Sequence, residues 1–83
     1  MTIDQLDERP LWVQLAAILR ERILAGEFEP RQTLPSESHL QQEHGISRGS
    51  VRRAIRALAD EGYVVVRQGR GSFVAPREAW PEV

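Results

Sequence analysis

The stretch from Ser36 to Gly62 constrains the fold more than any other, because it holds two helical patterns with only Gly45-Ile46-Ser47 between them. Ser36 is a capping residue ahead of a helix that reaches about His44, with Leu40 on its buried side and Gly45 as its stop. Ile46 then plugs the core and Ser47 caps again. A third helix follows from about Arg48 to Glu61, on which Val51, Ala54, Ile55 and Leu58 make one apolar stripe. Two helices joined by a Gly-containing turn form a helix-turn-helix unit, the second helix of which can lie in the major groove of DNA.

The flanking segments complete one small domain. Pro10 suits a first helical position, and Leu11, Leu15, Ile18, Leu19 and Ile23 recur at helical spacing until Gly26, which predicts a first helix over Pro10–Ala25. Residues 29–35, Glu-Pro-Arg-Gln-Thr-Leu-Pro, read as a connector with room for one short strand. After Gly62, Tyr63–Arg67 and Ser72–Ala75 are rich in strand formers, and Gln68-Gly69-Arg70-Gly71 between them reads as a loop. The predicted architecture is α+β: a winged helix-turn-helix of three helices plus a small antiparallel β-hairpin wing. It spans residues 10–76, with an N-terminal tail over 1–9 and a C-terminal tail over 77–83 that is expected to be poorly ordered unless Trp80 docks.

With 83 residues and no cysteine, neither a second core nor a disulfide or thiolate metal site is expected. No apolar run approaches the roughly 18 residues of a membrane span, and a cytoplasmic, nucleoid-associated location is expected. The net charge of −1 hides an asymmetry. Residues 1–47 set four arginines against eight carboxylates, whereas residues 48–77 set seven arginines against Asp60 and Glu61 alone. A polyanion-facing surface on an otherwise acidic domain is the reading this supports. All eleven basic residues are arginine, the side chain that contacts phosphates and base edges through a planar fork.

The DNA-facing set follows from that placement. Arg48, Arg52 and Arg56 fall at i, i+4 and i+8 on the third helix. Arg48 and Arg52 are assigned to base edges, and Ser47, Ser50 and Arg53 to phosphates. Gly49, with no side chain, lets the helix approach the groove floor. The wing, Arg67, Gln68, Gly69, Arg70 and Gly71, is assigned to the neighbouring groove, and Ser36 and Ser38 at the start of the second helix complete the set. His39 and His44, without cysteine partners, read as surface or capping residues; Trp12 and Tyr63 read as core or core-edge residues; and Glu37 and Glu43 read as charges on an exposed helix face. No nucleophile, base and oxyanion set can be assembled, so no enzyme, cofactor or metal is expected.

Leu34 to Ala75, with Leu-Pro-Ser-Glu, Ser47-Arg48-Gly49-Ser50-Val51-Arg52, Glu61-Gly62-Tyr63 and Arg67-Gln68-Gly69-Arg70-Gly71-Ser72-Phe73-Val74 in order, resembles the DNA-binding domain of the GntR family of bacterial regulators. Pro10 to Pro30 is similar to that family's first helix. The resemblance implies a winged helix-turn-helix that binds double-stranded DNA sequence-specifically as a transcriptional regulator, with repression the family habit. Arg48, Ser50 and Arg52 fall on its base- and phosphate-contacting positions, and Gln68 and Gly69 on its wing tip. It further implies a palindromic operator occupied by two copies.

Three departures stand out. Ser38 replaces a DNA-contacting arginine, so that contact is weakened or lost. His39 stands where a glutamate would close a capping box with Ser36. Arg31 follows Pro30 where glycine is usual, so the connector turn is not expected to need a positive φ. Nothing follows Val83, so the effector-binding and dimerising domain of such regulators, and with it a small-molecule effector, is not expected in this chain. The alternative from another class is a winged-helix protein–protein interaction module, which the overall acidity favours.

Overall fold

A computed structural model describes residues 2–81. Three helices, α1 (Leu11–Leu24), α2 (Glu37–His44) and α3 (Arg48–Glu61), precede two strands, β1 (Val64–Arg67) and β2 (Gly71–Val74), and a single 3₁₀ turn, Arg77–Ala79. This is the expected α+β winged helix-turn-helix, with element ends within about a residue of the sequence reading.

Leu15, Leu19 and Ile23 of α1, Leu40 of α2 and the Val51, Ala54, Ile55 and Leu58 stripe of α3 meet in one core with Ile46, Tyr63, Val64 and Val74. Helix α2 contributes one buried residue, Leu40, so its ends do much of the holding. Ser36 Oγ accepts from the His39 N–H at 3.1 Å, and Gly45 closes the helix at φ +65°. The glutamate-type reciprocal bond of a capping box is absent at His39, as the sequence implied. Ser47 caps α3 in the same way, accepting from the Ser50 N–H at 3.1 Å, and Arg20 of α1 forks onto Glu61 at 2.7 and 3.0 Å. Those hydrogen bonds raise the Arg20 guanidinium above its ordinary pKa.

β1 and β2 pair antiparallel with Val64 opposite Val74 and Arg67 opposite Gly71. The connector adds to this hairpin. Thr33 bridges Phe73, the Leu34 N–H donates to Ser72 O at 2.8 Å, and the Val74 N–H donates to Gln32 O at 2.9 Å. The short strand foreseen for the connector is therefore a single bridge on the outer edge of β2.

The expectation for Arg31 is overturned. Its φ is +72°, the left-handed region, although it is not glycine. The cause lies in the bonds around it. The Gln32 N–H donates back to Glu29 O at 3.0 Å, closing a turn with Pro30 and Arg31 at its centre, and the Arg31 N–H donates to Val74 O at 2.8 Å. Pro30 fixes the first central φ, so a positive φ at the second completes a type II turn that brings the connector onto β2.

Both flanks read as tails are held against the domain within the described residues, Met1, Glu82 and Val83 lying outside them. Gln14 is buried, and its side-chain amide is fully used: Oε1 accepts from the Asp4 N–H at 2.8 Å, and Nε2 donates to Asp4 O and Arg9 O at 3.0 and 3.1 Å. Ile3 packs against the core beyond it. At the other end Trp80 does dock. Its Nε1 donates to Ala75 O at 2.8 Å, its ring lies 5.9 Å from that of Tyr63, and Arg77 covers it at 5.4 Å. The Ala79 carbonyl oxygen stands 2.4 Å from where a Cβ on Gly62 would sit.

Candidate nucleic-acid interface

The N-terminus of α2, one edge of α3 and the wing enclose an open cleft of about 590 Å³. Eight of the thirteen residues assigned to DNA from the sequence line it: Ser36, Ser38, Arg52, Arg67, Gln68, Gly69, Arg70 and Gly71. The elements that place them are local in origin. Ser36 must start α2 where it does to cap it. Arg52 follows Val51 in α3, so the buried valine sets the arginine's direction. The wing tip is a turn in which the Arg70 N–H donates to Arg67 O at 3.0 Å and Gly69 takes φ +77°. A Cβ at Gly69 would meet nothing within 4 Å, so backbone conformation alone calls for glycine there.

The other five candidates lie along α3 outside the cleft wall. Ser47 and Ser50 are tied to each other, the Ser47 hydroxyl lying 3.1 Å from Ser50 Oγ, so their oxygens serve the helix cap first. Gly49 is exposed and helical, and a Cβ there would find only Ser47 Oγ, at 4.0 Å. Nothing inside the fold asks for glycine at this position in the first turn of α3, where alanine is the better helix former. Arg53 does not share the Arg52 side of the helix. Its guanidinium lies 4.5 Å over the Trp12 ring, on the side facing α1, held there by a cation–π contact.

Glu37 is the residue the sequence reading missed. Read as a solvated charge, it instead sits in the cleft wall between two arginines of α3. Its Oε2 accepts from Arg52 Nε at 2.8 Å, and its Oε1 lies 3.7 Å from Arg48 Nε. Its place as the first residue of α2 was visible, but the partner is fifteen positions away and only the crossing of α2 and α3 joins them. Val66, half exposed at the wing edge, is a second unforeseen cleft residue. His44 departs from expectation too: its side chain is 8% exposed and stands 3.7 Å from Glu43 in the last turn of α2, not on the surface.

One carboxylate between two guanidiniums leaves this face cationic. Among the described residues, Arg56, Arg67 and Arg70 have no carboxylate within ion-pair distance. Away from this face, acids take up Arg9, Arg20 and Arg22. Hydrogen bonds from Arg9 hold the Asp7 carboxyl below its ordinary range, and those from Arg22 do the same to Glu27. No group of three or more metal-ligating side chains occurs among the described residues, and no helix there is long and apolar enough to cross a membrane.

Comparison with known proteins agrees with this geometry. Residues 11–74 match the family model described as bacterial regulatory proteins, gntR family. The mannosyl-D-glycerate transport/metabolism system repressor MngR of Escherichia coli K12 is 42% identical over 69 residues, covering 83% of this chain and 29% of that protein. The repressor NagR of Bacillus subtilis is 37% identical over 75 residues, covering 90% and 31%. The chain thus spans under a third of the length of these curated relatives. Among solved structures, YtrA from Sulfolobus acidocaldarius, a GntR-family transcription factor, superposes with a TM-score of 0.83 at 33% identity, covering 92% of this chain and 80% of that one. The AraR DNA-binding domain in complex with operator ORX1 superposes with a TM-score of 0.81 at 34% identity, covering 90% and 93%.

Proposed function

Because the chain belongs to the GntR family of bacterial regulatory proteins, we propose that it binds double-stranded DNA as the sequence-reading part of a transcriptional regulator, through the cleft between α2, α3 and the wing. The observation that carries this reading is the convergence of Arg52 with Arg67, Gln68 and Arg70 on one concave surface, flanked by the exposed start of α3. A B-DNA major groove about 12 Å wide admits one helix. With the N-terminal turn of α3 in the groove, Arg48 and Arg52 reach base edges and Gly49 lets the backbone come close. The wing lies on the adjacent backbone, its free Arg67 and Arg70 pairing with phosphates or entering the minor groove. Arg53, fixed on Trp12, faces the opposite flank of the groove, where a phosphate is its natural partner.

Residues 10–76 are the DNA-binding unit in this reading, with the docked flanks bracing it. One copy covers a half-site, so two copies on a palindromic operator give the affinity that regulation in the cytoplasm requires. Repression follows from the relatives, since MngR and NagR are both repressors by name. Selection of bound sequences from a random duplex pool, followed by a salt titration on the winner, tests the proposal. A palindromic consensus and a log–log slope of about −0.9 per phosphate contacted are expected. Recovery of no sequence together with a flat salt response would overturn it and leave the protein-interaction reading in its place.

A further inference from the structure

The four arginines that hydrogen-bond to carboxylates do so in two ways. Arg9, Arg20 and Arg22 each use Nε and Nη2 together on Asp7, Glu61 and Glu27, closing the guanidinium fork onto the acid. Arg52 donates to Glu37 through Nε alone, at 2.8 Å, and its Nη groups have no partner among the described residues. A guanidinium carries five N–H donors, so the contact consumes one and leaves the other four on an exposed side chain. The same carboxylate faces Arg48 Nε at 3.7 Å.

Resting on the DNA-binding reading above, we infer that Glu37 is a positioning residue that sets base specificity, turning Arg52 from a phosphate binder into a reader of guanine. A free guanidinium binds either phosphate or the O6 and N7 acceptors of guanine, and the phosphate is far more abundant along a duplex and carries the charge. With a carboxylate 2.8 Å away, the Arg52–Glu37 pair carries no net charge of its own, the positive charge of this face lying on its neighbours, and a phosphate brought to Arg52 meets Glu37 as a like charge. The neutral acceptors of guanine suffer no such repulsion and match the open Nη pair. Glu37 therefore lowers affinity for DNA in general while fixing the direction in which Arg52 donates.

The test compares wild type with Glu37→Gln, which keeps the side-chain shape and removes the charge. Each is taken through selection from a random duplex pool, then titrated against the wild-type consensus, the same duplex with the selected guanine replaced, and an unrelated duplex, over a range of salt. Wild type is expected to prefer the guanine duplex by roughly tenfold or more. Glu37→Gln is expected to lose most of that preference, to bind the unrelated duplex several-fold more tightly, and to steepen its salt slope by about 0.9 as Arg52 engages one more phosphate. Arg52→Lys, which keeps the charge without the planar fork, is expected to lose the preference whether or not Glu37 is present. A merely structural role for Glu37 would lower all three affinities together. If Glu37→Gln keeps both the guanine preference and the wild-type salt slope, the inference about Glu37 is overturned while the DNA reading stands. If wild type itself shows no base preference, the groove reading fails and takes this inference with it.

Discussion

The two ends of α3 treat their polar and backbone groups in opposite ways. At the C-terminal end the protein's own groups engage one another: Glu61 closes onto Arg20, Gly62 takes φ +99° against the Ala79 carbonyl, and Trp80 is hydrogen-bonded to Ala75 and packed by Tyr63. At the N-terminal end Arg52 is held by one N–H, Gly49 lies beside open space, and Arg67 and Arg70 have no carboxylate partner among the described residues. A domain this small has little stability to spare. In the proposed reading, the donors and the glycine left without internal partners on one side are where the duplex supplies what the protein does not. The fold is locked at one end of the helix and left open at the other.

The sharpest way to break this contrast is Gly62→Ala. The added Cβ combines a left-handed backbone with a carbonyl clash, and the expected loss is about 3 kcal/mol in chemical denaturation. Trp80 fluorescence should move toward that of a solvent-exposed indole as the C-terminal segment lifts away. Next comes Arg52→Ala, expected to cost about 2 kcal/mol of specific duplex affinity, read by fluorescence anisotropy, with a melting temperature within a degree or two of wild type. Gly49→Ala sharpens the comparison because its two effects have opposite sign. Replacing this first-turn glycine should stabilise the fold slightly, by up to about 0.5 kcal/mol, while the new methyl weakens DNA binding. A similarly small effect is expected from Arg31→Gly, which relieves the positive φ of the connector turn; a gain of about 0.5 kcal/mol should remain once the extra chain entropy of glycine is counted.

Most of the fold was legible because its signals are local and repeated. Leu15, Leu19 and Ile23 at helical spacing, the capping serines 36 and 47, and glycines 45 and 62 each announce an element end or a buried face from a few neighbouring residues. The cleft lining was legible to the extent that it shares those elements: once α3 and the hairpin are placed, Arg52 and Arg67–Gly71 fall on one surface. What escaped depends on side chains meeting across the fold. The Glu37–Arg52 bond joins two helices, the Arg53–Trp12 stack joins α3 to α1, and the Gln14 amide reaches back to Asp4 and Arg9. None of these leaves a periodic trace. Arg31 misled for a different reason: residue preference argues against positive φ there, but the hydrogen bonds to Glu29 and Val74 outweigh that preference.

Titration of the isotope-labelled chain with a selected duplex, followed by backbone amide chemical shifts, addresses the asymmetry of α3 most directly. The expected result is large shifts over Ser47–Arg53 and Arg67–Gly71, with Glu37 among them, and small shifts at Gly62, Ala75 and Trp80. Shifts concentrated at the C-terminal end of α3, with the wing and the Ser47 turn unmoved, would contradict it.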